Sequence, residues 1–265
     1  MAEGRGVLVT GAAGRIGAAI ARAFVGLGDR VVTTDLDADR LAAVDRMLGA
    51  QGGRVTAIPA DVADEGAVDR LVAAALDALG RLDVLVNCAG IFPNAPVVEM
   101  DTAEWDRVYA VNLRGPFLLC RAVARQMLAR DVAGSIVNIS SGAGSSARTG
   151  GAHYCGSKAA LEMLTKVLAI ELGPRGIRVN AVAPGLVLDE VLAPPVPAGT
   201  SPYVAALLDG IPLRRTGRPE EIAAAVVFLC SEAAAWTTGT VVEVNGGSQA
   251  GRTHLPPSAP RRPPR

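Results

Sequence analysis

The sequence predicts an α/β fold, a doubly wound parallel sheet of about seven strands with helices on both faces. Three observations predict it. Short β-branched runs alternate with longer amphipathic stretches along most of the chain, the pattern of repeated strand and helix units. The runs are apolar at successive positions, as in Val7-Leu8-Val9 and Val84-Leu85-Val86, which is what burial on both faces of a sheet demands. A glycine-rich turn, Thr10-Gly11-Ala12-Ala13-Gly14-Arg15-Ile16-Gly17, follows the first run directly.

Taken in order, strands are expected over residues 6–10, 30–34, 54–58, 82–86, 134–139, 177–182 and 240–244. Amphipathic helices are expected at 16–27 and 37–47, around 113–128, and over 158–172. The stretch 186–212 holds Pro194, Pro195, Pro197, Pro202 and Pro212, too many for a continuous helix. It is expected to be a long loop with one short helix, of the kind that covers a site. No second sheet system is needed, so residues 1–247 are expected to form one domain.

The chain of 265 residues carries 26 basic and 26 acidic side chains, and half its residues are hydrophobic. This balance excludes whole-chain disorder and a nucleic-acid-binding surface on the main domain. It is also a cancellation. Residues 248–265 hold Arg252, Arg261, Arg262 and Arg265 and no acid, leaving 22 basic against 26 acidic for residues 1–247. With Pro256, Pro257, Pro260, Pro263 and Pro264 the same stretch is expected to be a disordered tail. It is either a solvated terminus or a basic arm for an acidic neighbour or nucleic acid. No apolar run approaches the roughly 18 residues of a membrane span, and residues 1–6 contain no signal core. Cys88, Cys120, Cys155 and Cys230 lack metal-ligand spacing, and the chain has two histidines. Free thiols in a reducing cytoplasm, and no metal site, are expected.

The glycine turn is where chemistry enters. Glycines let the backbone approach a pyrophosphate closely, and the helix that follows offers unpaired N–H groups and a favourable dipole. Asp35 ends the second strand 24 residues after Gly11, where a carboxylate accepts hydrogen bonds from an adenosine ribose. The other reading of Asp35 is a cap for the helix that follows. Together the two features predict a Rossmann-type dinucleotide site.

A second cluster lies downstream. Tyr154 and Lys158 are four residues apart, so on a helix they share one face. A phenol ionises near pH 10, and keeping it as a base near neutrality takes about 4 kcal/mol of preferential stabilisation of the phenolate. A nearby ammonium supplies stabilisation of that sign. By spacing alone the pair reads as an ordinary surface helix pair. Ser141, thirteen residues before Tyr154 at the end of the fifth strand, places both at the carboxyl edge where open α/β sheets bind ligands.

The ordered set of motifs resembles the short-chain dehydrogenase/reductase family over nearly all of residues 6–247. They are the turn at 10–17, Asp61-Val62, Asn87-Cys88-Ala89-Gly90, Asn112 within Val-Asn-Leu, Ser140-Ser141, Tyr154-Cys155-Gly156-Ser157-Lys158, Pro184-Gly185 and Gly217-Arg218-Pro219-Glu220-Glu221. The resemblance implies a nicotinamide-dependent oxidoreductase. It gives Ser141 the substrate oxygen, Tyr154 the proton, Lys158 the nicotinamide ribose and Asn112 a relay water. It places the cofactor against Gly11, Arg15, Ile16, Gly17, Asp35, Asp61, Val62, Asn87, Ala89, Gly90, Tyr154, Lys158, Pro184, Gly185 and Val187. Asp35 favours NAD over NADP by repelling a 2′-phosphate.

The chain departs from the family pattern at three positions. Arg15 replaces the middle glycine of the turn, and either follows the cofactor phosphates or points to solvent. Asp189 stands where the family usually has threonine, and Asn245 where it has an acid. Phe92, Pro93, Ala143, Arg148, His153 and Leu186 are expected to line the substrate site. Arg148 reads either as a partner for a carboxylate or phosphate or as a solvated loop cation. Residues 158–172 carry a wider apolar arc than one buried stripe needs, and the resemblance implies a homodimer or homotetramer built through it. An NAD-linked alcohol dehydrogenase is set against an NADPH-dependent 3-oxoacyl-thioester or carbonyl reductase, and more remotely against a cofactor-sensing binding protein.

Overall fold

A computed structural model of the chain describes residues 4–50, 52–197 and 199–251. Its strands are β1 (Gly6–Thr10), β2 (Arg30–Thr34), β3 (Arg54–Ala57), β4 (Val84–Asn87), β5 (Ser135–Ile139), β6 (Arg178–Pro184) and β7 (Val241–Val244). The helices are α1 (Arg15–Gly26), α2 (Ala38–Ala50), α3 (Glu65–Leu79), α4 (Thr102–Tyr109), α5 (Gly115–Ala129), α6 (Ala152–Leu172), α7 (Pro202–Asp209) and α8 (Pro219–Leu229). All seven strands join one parallel sheet in the order β3-β2-β1-β4-β5-β6-β7. The fold class expected from the sequence is the one observed.

The uninterrupted apolar strands fit because each face of the sheet has its own core. On one face Leu8, Leu85 and Ile136 pack with Leu71 of α3, Leu119 of α5 and Leu172 of α6. On the other, Val9, Val86 and Val137 pack with Ile20 and Phe24 of α1 and Val226 of α8. Ile20 and Phe24 are four residues apart and fully buried, so one stripe of α1 docks on the sheet. Burying each such side chain contributes about 1.5–3 kcal/mol.

Element ends differ from expectation in places. The β1–β4 ladder begins at Val84, not at residue 82, because the Asp83 carboxylate accepts the Gly6 N–H at 2.7 Å, tying the two strand starts together through a side chain. Strand β6 runs on to Pro184, opposite Val244. Helix α5 is preceded by a π-turn, Ala110–Arg114, a departure from helical spacing that often marks a functional site. Residues 186–212 contain the single short helix α7, and Val187 bridges to Gly217.

The tail expectation needs one correction. Residues 248–251 do not leave the domain: Ser248 and Ala250 turn back with N–H bonds to Asn245 and Gly247. The stretch 252–265, with its four arginines, lies outside the described residues. Among the described residues no helix is long and apolar enough to cross a membrane, and no cluster of His, Cys, Asp or Glu has the makings of a metal site. All four cysteines are free.

Strand order reverses between β1 and β4. The loops leaving the carboxyl ends of neighbouring strands there part to either side and open a crevice. The turn after β1 and the loops after β4, β5 and β6 all emerge along this edge.

Candidate active site

The turn after β1 is shaped for close approach. Gly11 has φ +66, and a Cβ added there would meet Ala89 Cα at 2.7 Å; at Gly17 it would meet the Gly11 carbonyl oxygen at 2.2 Å. Side chains are therefore excluded where the chain turns. Gly14 caps α1 without a side-chain hydrogen bond, so the first N–H groups of the helix remain open towards the crevice. Thr10 Oγ1 accepts the N–H groups of Cys88 and Ala89 at 3.0 and 3.1 Å, fastening the turn after β4 to the end of β1.

Asp35 turns back to this loop. Its carboxylate accepts the Ala13 N–H at 3.0 Å and the Asp37 N–H at 3.2 Å. The α2 cap is Asp37, whose side chain accepts the Arg40 N–H at 3.0 Å, which removes the alternative reading of Asp35. Arg40, which sequence reasoning missed, donates to the Ala13 carbonyl at 3.0 Å and so stands beside the same carboxylate. Arg15 stands half-exposed at the start of α1. Its Nε lies 3.3 Å from Asp189 Oδ2, with both side chains exposed. Two of the three departures thus face each other across the crevice.

The remaining sequence-predicted cofactor residues divide. Ile16 packs into the α1 core, Val62 is buried beside the glycine at 115, and exposed Asp61 accepts the Ala63 N–H. At Gly90 an added Cβ would lie 3.3 Å from Asn112 Oδ1 and 3.6 Å from Lys158 Nζ. The Gly185 N–H bonds to the Val244 carbonyl, just beyond Pro184. Asn87 stands apart: its amide donates to Asn138 Oδ1 at 2.8 Å and to Cys120 Sγ at 3.2 Å, inside the sheet layer. Its side chain supports the crevice wall from within. A glycine cradle, an open helix N-terminus and a carboxylate at the end of β2 fit a nicotinamide dinucleotide.

Ser141, Tyr154 and Lys158 come together at the end of β5 and the start of α6. Ser141 caps the short turn Gly142–Gly144 by accepting the Ala143 N–H at 3.2 Å, and its hydroxyl is near enough to the Tyr154 phenol to oppose the rise in its pKa. Lys158 is buried, with Nζ donating to the Ile139 carbonyl at 2.8 Å and lying 5.8 Å from the centre of the Tyr154 ring. Burial lowers its pKa to about 8, against the opposing pull of Cys88 and Glu162.

The expected acidification of Tyr154 by Lys158 is not what this geometry gives. Burial raises the Tyr154 pKa above the ordinary phenol value; the Ser141 hydrogen bond and the charge of Arg148 oppose it. The i to i+4 spacing does put both residues on one face, but the lysine stem reaches past the ring to the end of β5. The cation that acts on the phenol is Arg148, whose guanidinium lies 4.8 Å from the ring centre. Arg148 is no free loop cation: it is half-buried and its Nη1 is 3.4 Å from Tyr203 Oη on α7.

Asn112, in the π-turn, is fully buried. Its amide accepts the Ile91 N–H at 2.9 Å and donates to the Ile91 carbonyl at 2.8 Å. Its side chain is thus committed to holding the turn after β4. His153, expected to line the substrate site, is fully buried and turned towards Glu104 at 3.4 Å and the Trp105 ring. Phe92 meets the Tyr154 ring edge-on at 6.3 Å.

Two supports escaped sequence reasoning. Ser140 donates to Glu162 Oε1 at 2.7 Å, pinning the start of the Ser141 loop to α6. Gln249, beyond the last strand, donates through Nε2 to the Gly142 carbonyl and accepts through Oε1 from Ser145 at 3.2 Å and Asn245 at 3.3 Å. Asn245 is the third departure, and its amide turns towards this contact. The Gln249 contacts with Gly142 and Ser145 span 107 and 104 residues, which leaves no local pattern from which they are read.

Known proteins are similar to this chain over most of its length. A family profile described as enoyl-(acyl carrier protein) reductase matches residues 11–249. The D-threitol dehydrogenase of Mycolicibacterium smegmatis is 42% identical over 245 residues, 92% of this chain and 93% of that one. The 3-oxoacyl-[acyl-carrier-protein] reductase of a Synechocystis species is 39% identical over 242 residues, 91% of this chain and 95% of that one. A crystal structure of a short-chain type dehydrogenase/reductase from Mycobacterium marinum superposes with a TM-score of 0.86 at 32% identity, covering 94% of this chain and 96% of its own. The chain belongs to the short-chain dehydrogenase/reductase family of nicotinamide-dependent oxidoreductases.

Proposed function

We propose that this oxidoreductase is an NAD-linked dehydrogenase of a secondary alcohol, with Tyr154 as the group that moves the proton. The carrying observation is the meeting of Ser141, Tyr154 and Lys158 beside the turn that fits the dinucleotide. When bound, the nicotinamide supplies the hydride acceptor or donor. Tyr154 Oη takes the hydroxyl proton of the substrate or returns it, Ser141 orients the substrate oxygen, and Lys158 holds the nicotinamide ribose. Asn112 keeps the turn at residues 90–91 in place and contributes to the proton path. The protein's part is alignment and a preset polar environment around one oxygen.

NAD is preferred because the Asp35 carboxylate occupies the end of β2 beside Ala13, where it repels a 2′-phosphate. Arg40, donating to Ala13, favours the second reading, an NADP-dependent carbonyl or 3-oxoacyl-thioester reductase. The residues proposed to touch the cofactor are Gly11, Arg15, Ile16, Gly17, Asp35, Asp61, Val62, Ala89, Gly90, Tyr154, Lys158, Pro184, Gly185 and Val187, with Asn87 as a buried support. Residues 186–212 form the substrate lid. Phe117, Met163, Val167 and Ile170 leave apolar surface exposed on α5 and α6, which supports a homodimer or homotetramer. The proposed location is the cytoplasm.

The test is a screen of NAD and NADP against secondary alcohols and ketones, followed by absorbance of the reduced nicotinamide. Turnover with NAD and a secondary alcohol is the expected result. A larger kcat/KM with NADP overturns the cofactor preference, and no turnover across a broad panel overturns the assignment.

A further inference from the structure

Arg148 is a cation with no ion pair among the described residues, placed against the ring of the proton-transferring tyrosine. Its Nε is buried and has no hydrogen-bond partner, and its side-chain hydrogen bond to Tyr203 Oη, at 3.4 Å, is long. A buried N–H donor without an acceptor is costly unless a ligand completes it.

The chain around Arg148 is built to hold it. Gly150 has φ +73 and its carbonyl accepts the Ala95 N–H at 3.0 Å, pinning the loop to the segment after β4. At Gly151 a Cβ would lie 2.9 Å from Arg148 Cγ, so a larger residue there would displace the arginine stem. Residues 139–161 carry Arg148 and Lys158 and no Asp or Glu, and residues 88–96 carry no charge. Of the charges nearest this loop, Glu162 accepts from Ser140 and Lys158 serves Ile139. Arg148 remains, presenting the planar fork that matches a carboxylate or phosphate in two-point contact.

We propose that Arg148 is the anion-recognition residue of the substrate site, and that the alcohol or ketone taken carries a carboxylate or phosphate within a few bonds of the reacting carbon. The inference rests on the dehydrogenase reading above. The carbinol carbon gives its hydride to NAD(P)+, and the hydroxyl proton passes to Tyr154 Oη as the phenolate, which has first released its own proton to solvent and ends as the phenol. The C=O double bond forms, and the anionic group stays unchanged in the grip of Arg148. Tyr203, on the helix of the 186–212 segment, joins that grip from the other side.

The experiment uses the purified full chain with each cofactor and matched substrate pairs: glycerate against glycerol, 3-hydroxybutyrate against 2-butanol, and glycerol 3-phosphate against glycerol. An advantage of about tenfold or more in kcat/KM for an anionic member is expected, with the pair that shows it separating carboxylate from phosphate. In Arg148→Gln the ratio within that pair falls towards one, and Arg148→Lys retains part of it. Equal use of both members, preference for the neutral member, or an advantage that survives Arg148→Gln overturns the proposal. Turnover of neutral alcohols alone leaves the dehydrogenase reading standing, whereas no turnover of any member, here and across the broad panel, removes both. The ratio in the unmodified chain decides the matter even if a variant fails to fold.

Discussion

Lys158 donates a hydrogen bond to the backbone carbonyl of Ile139 across 2.8 Å, and in doing so sits wholly inside the protein. The contact anchors the end of β5 to α6, the two elements that carry Ser141 and Tyr154. It also places a charge where water is absent, and burial lowers that lysine's pKa to about 8 from an ordinary 10.5.

This charge carries a stability cost with a definite pH window. The folded pKa is below the unfolded one, so the unfolded chain binds more protons between about pH 8 and 10.5, and stability rises with pH there. The cost is present in full below pH 8 and fades as pH climbs towards 10.5. Lys158→Met is expected to stabilise the cofactor-free protein at pH 7 by about 1–3 kcal/mol, since each unit of pKa difference is about 1.4 kcal/mol and the lost Ile139 bond offsets part. Denaturant unfolding at pH 7 and 9.5 checks it; an equal difference at both values would contradict the burial argument.

Gln249 reaches from beyond the last strand to the loop that holds Ser141. Gln249→Ala is expected to lower kcat by about three- to tenfold, because a small misplacement of an orienting group has a large kinetic effect. Cofactor affinity stays near that of the parent. In a Ser141→Ala background the same substitution adds little, as residues acting through one group are not additive. Steady-state kinetics on the four proteins check this, and equal losses in both backgrounds exclude an action through Ser141.

Asp35 and Arg40 converge on Ala13 with opposite charges. Asp35→Ser removes the carboxylate and leaves the guanidinium, so the NADP to NAD ratio of kcat/KM is expected to rise by about tenfold or more. The companion change Arg40→Ala moves the ratio the other way. Initial rates with both cofactors read it directly, and an unmoved ratio in Asp35→Ser separates that carboxylate from cofactor choice.

Much of the fold was legible in the sequence because burial on both sheet faces writes itself as consecutive apolar residues, as in Val84-Leu85-Val86. The glycine turn was legible for a related reason, since only glycine fits opposite Ala89 and the Gly11 carbonyl. Helical spacing correctly brought Tyr154 and Lys158 to one face. It did not reveal that the lysine would choose a backbone carbonyl over the phenol, a choice set by where β5 ends. The π-turn at Asn112 follows from no periodicity, and the Arg15 to Asp189 pair joins the start of α1 to a loop 174 residues away. Arg148 was visible as a residue, but its place over the tyrosine depends on the Gly150–Gly151 turn and on α7, which are tertiary facts.

On the proposed function, Tyr154 Oη moves the proton in a site whose binding surfaces are independent of that oxygen. Tyr154→Phe removes a single atom and keeps the ring against Phe92 and Arg148. Titration of the variant with NAD, followed by turnover at the reduced nicotinamide band, is the most direct measurement. Cofactor affinity within about threefold of the parent, with kcat reduced by about 100-fold or more, is the predicted result. Turnover near that of the parent in the purified variant would contradict the account.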